Sequence, residues 1–149
     1  MATICQIGCG MIGKVMALDI SKRHDLYLCD LDRSALGAVK TLDPRIKTKC
    51  FDVNDYEVLK SFLKPADIVL LAVPGYMGYK LLEIIIGFKK NIVDISFSPE
   101  NILYLDKKAK DNNITVIFDA GLAPGIPNFL LGKIDAKENV KSFKYFVGG

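Results

Sequence analysis

Thr3-Ile4-Cys5-Gln6-Ile7-Gly8-Cys9-Gly10-Met11-Ile12-Gly13 is the stretch that decides the fold. It opens as a β-type run and closes on the pattern G-x-G-x-x-G. Apolar residues then recur at Met11, Ile12, Val15, Met16 and Leu18 with helical spacing. A strand, a glycine turn and a helix in that order are the setting in which such a loop holds the pyrophosphate of a dinucleotide. Gly8 is expected to permit the turn, Gly10 to let the backbone approach the phosphates, and Gly13 to let helix and strand pack closely. The helix start, with Met11 and Ile12, presents free N–H groups and partial positive charge. The competing reading is a glycine-rich turn that holds no ligand.

The next strand, Leu26-Tyr27-Leu28-Cys29, ends at Asp30, 17 residues past Gly13. The dinucleotide fingerprint places an acid about 20 residues on, where it accepts the ribose hydroxyls. A carboxylate there favours NAD and repels the 2′-phosphate of NADP, so NAD is the expected cofactor and NADP the less favoured one. Arg33 stands close enough to neutralise such a phosphate, although a solvated arginine on a helix is its ordinary reading.

Outward from this unit the chain keeps alternating. A polar helix is expected over 34–41 and a weak strand over 47–51. A helix carries Tyr56, Leu59, Phe62 and Leu63 on one face. Ile68-Val69-Leu70-Leu71-Ala72-Val73 is a continuously apolar strand, as in a sheet covered on both faces. A helix over 79–88 and a strand over 91–95 follow. The next helix, 99–112, has Ser98 as N-cap and Pro99 in its first turn. A strand over 114–118, a helix over 126–134 and a start of strand over 140–147 complete the pattern. The fold class is α/β: a Rossmann-type doubly wound, mostly parallel sheet with helices on both faces. Residues 1–139 are expected to form the dinucleotide-binding domain, with 140–149 beyond it as the start of a further strand.

Ligands of such sheets bind beyond the carboxyl ends of the strands, which makes the loops there the candidate site. Asp52 is placed either to bond the adenine amino group or to cap the next helix, with Val53 packing on the ring. Ala72, Val73 and Pro74 leave room for ribose and nicotinamide. Asp94, Ser96 and Glu100, with Asp119 and the loop residues Gly121, Ala123, Pro124 and Gly125, face the substrate side. None is a strong general acid or base, so no catalytic residue is assigned. His24, the single histidine, falls on the opposite edge. Cys9 sits inside the glycine loop, so a bulky modification of its thiol is expected to block cofactor binding.

Composition narrows the classes further. With 149 residues, half of them hydrophobic, the chain is large enough for a core and is not a disordered segment. Its 20 basic and 17 acidic residues are scattered, which argues against a nucleic-acid surface. No run approaches the about 18 apolar residues of a membrane span, and no basic region precedes the first apolar run as in a signal peptide. Cys5, Cys9, Cys29 and Cys50 have no zinc-ligand spacing. They read as buried thiols of a cytoplasmic protein that holds no metal.

Several segments together carry a resemblance. Gly8 to Gly13, Cys50-Phe51-Asp52-Val53-Asn54-Asp55, Ala72-Val73-Pro74-Gly75, Val93-Asp94-Ile95-Ser96-Phe97-Ser98-Pro99-Glu100 and Gly121-Leu122-Ala123-Pro124-Gly125 occur in that order. They resemble the N-terminal half of the saccharopine dehydrogenase family, most of all its lysine 6-dehydrogenase branch. The resemblance implies oxidation of the side-chain amine of L-lysine, or a related amino acid, by hydride transfer to NAD. The saccharopine reductase branch usually carries Gly-Leu-Asp-Pro-Gly-Ile-Asp-His after strand six. This chain has Gly121-Leu122-Ala123-Pro124-Gly125-Ile126-Pro127-Asn128, without the acids and the histidine. Tyr145-Phe146-Val147-Gly148-Gly149 matches the family where it leads into a second domain, which supplies most of the substrate pocket and the homodimer contact. The chain alone is therefore expected to bind cofactor without turnover. Alternatives are a stand-alone NAD-sensing regulatory module, or a truncated gene product without a function of its own.

Overall fold

The computed structural model describes residues 1–147. Along the described residues strands and helices alternate: β1 (Thr3–Ile7), α1 (Met11–Ile20), β2 (Asp25–Asp30), α2 (Arg33–Leu42), β3 (Lys47–Cys50), α3 (Tyr56–Leu63), β4 (Ile68–Leu71), α4 (Gly75–Gly87), β5 (Asn91–Asp94), α5 (Asp106–Asp111), β6 (Val116–Ile117) and α6 (Ile126–Asp135). All neighbouring strands run parallel, in the order β3-β2-β1-β4-β5-β6. The winding reverses between β1 and β4, which lie side by side and leave a crevice beyond their carboxyl ends. No helix among the described residues is long and apolar enough to cross a membrane.

Burial on both faces explains the strand sequences. Cys5, Ile7, Val69 and Leu71 pack against Leu59, Phe62 and Leu63 of α3 and Leu81, Leu82, Ile85 and Ile86 of α4. Leu26 and Leu28 pack on the other face against Ala17 of α1 and Leu36 and Val39 of α2. A strand with apolar partners above and below has no polar side to show, hence Ile68-Val69-Leu70-Leu71. At the sheet edge β3 reads Lys47-Thr48-Lys49-Cys50, with both lysines exposed. Such charges keep an open edge from pairing with another chain. Asp32 and Asp55 cap α2 and α3 by accepting backbone N–H groups of the first turn.

A polar knot ties the end of α1 to the end of α2. The Asp43 carboxylate takes both Nε (2.9 Å) and Nη2 (2.8 Å) of Arg45, and the Ser21 hydroxyl donates to it at 2.7 Å. The Arg45 guanidinium, helped by Ser21, holds the Asp43 carboxyl well below the usual carboxylate range. A carboxylate depressed in the folded state stabilises it fully above its ordinary pKa, and that stability is lost as pH falls through the folded value. Asp43→Asn is therefore expected to lower the urea midpoint near neutral pH, with the gap to wild type narrowing progressively as pH falls below about 4. A gap unchanged over that range would contradict the role given to the knot.

The structure departs from the sequence reading in two segments. The helix expected over 99–112 is a 3-10 turn, Ile102–Leu105, followed by the short α5. Ser98 does not cap it: its hydroxyl donates to Glu100 Oε2 at 2.6 Å, and Asn101 takes the capping position by accepting the Leu103 N–H. Residues 140–147, expected to begin a strand, have no regular structure. A strand exists only through bonds to a neighbour, and none of the described strands pairs with this segment. Gly148 and Gly149, the end of that expected strand, lie outside the described residues.

Candidate cofactor site

A groove of about 320 Å³ opens at the carboxyl ends of the central strands. Its floor is the turn from β1 into α1. Gly8 has φ +103°, and a Cβ there would lie 2.2 Å from the Ala72 carbonyl oxygen. A Cβ on Gly13 would lie 2.4 Å from the Gly8 carbonyl oxygen. Both positions demand glycine for reasons internal to the protein. Gly10 differs. Its φ of −67° and ψ of −169° suit any residue, and a Cβ would meet nothing within 4 Å. The open space over Gly10 fits a ligand that approaches the backbone closely.

The first helical bond of α1 runs from the Lys14 N–H to the Gly10 carbonyl at 2.9 Å. The N–H groups of Met11, Ile12 and Gly13 thus have no acceptor within the helix. Gly10 has no side chain to cap them. A diphosphate at this end supplies the missing acceptors and meets the positive end of the helix dipole. Met11 and Ile12 are 90% and 62% exposed and do not line the groove, so their part in it is the backbone N–H groups. The Cys9 thiol turns the other way. It is 3% exposed, packs among Leu28, Leu36 and Val39, and burial raises its pKa. The face of the loop toward the groove is therefore backbone, and the thiol itself lies in the core behind it.

Asp30 forms the next part of the wall. Its Oδ2 accepts the Cys9 N–H at 2.6 Å and its Oδ1 the Asp32 N–H at 2.8 Å. Each carboxylate oxygen has a second lone pair with which to accept a ribose hydroxyl. Arg33, at the first turn of α2, is exposed and has no ion-pair partner among the described residues. Asp52 and Val53 line the groove with Phe51. Asp52 does not cap α3, because Asp55 does. Its Oδ1 instead accepts the backbone N–H and side-chain amide of Asn54, both at 2.9 Å. Ala72, Val73 and Pro74 complete the wall.

Behind the loop stands Gln6, fully buried. Its Nε2 donates to the Gly8 carbonyl at 2.9 Å and the Gly13 carbonyl at 2.7 Å. Its Oε1 is buried without a partner, a situation that costs about 1–3 kcal/mol.

The residues expected to face substrate divide. Asp94 and Ser96 are 1% and 5% exposed and spend their polar atoms on each other, with the Ser96 N–H and hydroxyl both 2.8 Å from the Asp94 carboxylate. Burial, with Asp119 nearby, raises the Asp94 pKa against these bonds. Gly78 of α4 covers them, and a Cβ there would lie 2.2 Å from Ser96 Oγ. Neither presents a free group to a substrate, which corrects that expectation. Glu100 is exposed and bonded to Ser98. Gly121, Ala123, Pro124 and Gly125 form a closed loop bridged from Gly121 to Gly125, with a cis bond before Pro124. It is tied to β5 through the Ala120 N–H and the Asp94 carbonyl. Asp119 precedes it with φ +51°. His24 accepts the Ala2 N–H at the amino edge of the sheet, away from the groove.

Leu31, Met77 and Gln6 were not singled out in the sequence. Leu31, 70% exposed, and Met77 both line the groove. An apolar residue between Asp30 and the cap Asp32 was the available signal for Leu31. For Gln6 the signal was an amide inside an otherwise apolar central strand.

The model of the saccharopine dehydrogenase NADP binding domain matches residues 4–117. An alpha-aminoadipic semialdehyde synthase of Arabidopsis thaliana is 34% identical over 129 residues, 83% of this chain and 12% of that protein. A saccharopine dehydrogenase [NADP(+), L-glutamate-forming] of Pyricularia oryzae is 31% identical over 103 residues, 66% of this chain and 23% of that protein. The apo saccharopine dehydrogenase (L-Glu forming) of Saccharomyces cerevisiae superposes with a TM-score of 0.78 at 20% identity, over 91% of this chain and 31% of that one. The chain thus spans under a third of each of these relatives.

Proposed function

Because the chain belongs to the saccharopine dehydrogenase family, matched over its NADP-binding domain, we propose that it holds NAD for the oxidation of an amino-acid side-chain amine. Pyridine-nucleotide binding is the property of the family domain. The choice of NAD is carried by Asp30, a carboxylate in the groove wall beside the glycine turn. It accepts the two hydroxyls of an unphosphorylated ribose and repels a 2′-phosphate. Arg33, exposed and without an ion-pair partner among the described residues, is not among the residues that line the groove, so this reading gives the ribose to Asp30.

In this reading the N–H groups of α1 hold the diphosphate, Asp52 and Val53 flank adenine, and Ala72 to Pro74 keep the nicotinamide end dry. When bound, the nicotinamide accepts a hydride from the carbon that bears the amine. L-lysine or a related amino acid is the substrate we propose, since the 121–128 segment lacks the acids and the histidine of the pattern that the saccharopine reductase branch usually carries there. No free acid or base lines the groove beyond the adenosine half. The 149-residue chain is thus proposed to bind cofactor with little or no turnover by itself, in the cytoplasm, with the longer family forms acting as homodimers. Titration calorimetry with NAD and NADP is expected to show NAD binding the tighter. Tenfold tighter NADP would overturn the cofactor choice, and robust lysine-dependent NADH production by this chain would overturn its inactivity.

A further inference from the structure

We infer that Gln6 is a positioning residue for the cofactor cradle, acting through the peptide unit that joins Gly8 to Cys9. Its partners across the ladders are Leu28 on β2 and Leu70 on β4, both buried. A leucine would suit that apolar position, whereas an amide brings an Oε1 that finds no partner. What the amide provides is a two-hydrogen donor between two carbonyls, Gly8 and Gly13. Of the uncharged side chains of this length, only an amide offers two N–H donors from one atom.

A trans peptide is planar and points its C=O and N–H to opposite sides. In the Gly8–Cys9 unit the C=O is held by Gln6 and the N–H by Asp30 Oδ2 at 2.6 Å. Gln6 and Asp30 therefore grip one plate from its two edges. Gln6 draws the Gly8 carbonyl inward under Gly13, which is why a Cβ on Gly13 has no room. The same grip turns the Cys9 N–H toward Asp30 and fixes the carboxylate that faces the ribose. Releasing the Gly8 carbonyl lets the plate rotate, and Asp30 loses its register with the cradle although it is itself unchanged.

This inference rests on the dinucleotide reading of the groove, and the test separates the two. In wild type the Cys9 amide proton is expected far downfield and protected from hydrogen exchange. In Gln6→Met and Gln6→Leu it moves upfield and loses protection, while the amides of β1 and β4 keep theirs. A merely structural role would loosen strand amides and Cys9 together. ADP-ribose is the calorimetric probe, since it carries the ribose and diphosphate without nicotinamide. Its affinity is expected to fall at least tenfold in both variants. An unchanged Cys9 amide in a folded variant overturns the role of Gln6 whether or not anything binds. Failure of wild type to bind ADP-ribose or NAD overturns the dinucleotide reading instead. Gln6→Met, flexible and close in volume, keeps the test alive if Gln6→Leu does not fold.

Discussion

Gly8→Ala is expected to destabilise the fold by about 3 kcal/mol, through backbone strain and overpacking together. The φ of +103° is open to glycine and strained for alanine, and the new methyl would press on the Ala72 carbonyl. That carbonyl belongs to the residue just past β4, whose N–H is tied to the Ile7 carbonyl of the neighbouring central strand, so it has little freedom to give way. In a chain of this length the midpoint of thermal unfolding should fall by about 6–12 °C. Gly10→Ala is the control, since its methyl meets nothing in the protein. Its stability should change by less than about 1 kcal/mol, the scale of a helix N-cap effect. Its dinucleotide affinity should nevertheless drop about tenfold or more, because the methyl occupies the space left for the diphosphate. Scanning calorimetry and ligand titration of the two variants read these effects separately. Equal unfolding midpoints for the two would refute the account of the loop.

Asp30→Ala should weaken NAD by about 1–3 kcal/mol, the loss of hydrogen bonds to a charged group. NADP should lose less, because its 2′-phosphate no longer meets a carboxylate. The preference for NAD is then expected to narrow or reverse. The change also frees the Cys9 and Asp32 N–H groups that Asp30 holds, so some of the loss comes from a looser turn. Titrating both cofactors against both proteins distinguishes these parts. A loss of equal size for NAD and NADP would mean that Asp30 shapes the turn without reading the ribose.

Local spacing made much of this architecture legible. The glycine pattern, the acid that ends β2 and the apolar run of β4 each follow from contacts with near neighbours or from burial on both faces. Eight of the eleven residues expected at the cofactor, from Gly8 and Gly10 to Pro74, line one groove. Met11, Ile12 and Gly13 do not, because a helix start meets an anion with its backbone.

The misreadings have a common origin. Asp94 and Ser96 stood in the loop expected to face a ligand, but whether a polar group is free depends on what lies over it. Gly78, far earlier in the chain, brings α4 down onto Ser96 and closes the pair off. Ser98 and Pro99 carried signals for a helix start, yet Glu100 takes the serine hydroxyl and Asn101 does the capping. The 140–147 segment has strand composition without a strand beside it. By itself the sequence determined the order of elements, the parallel sheet and the glycine cradle, because these depend on periodicity and on which backbone angles a residue permits. Only the tertiary structure decided which polar atoms remain free. It buried Asp94, turned the Cys9 thiol into the core and set Gln6 and Asp30 on opposite edges of one peptide, since partners far apart in the chain meet only after the sheet has formed.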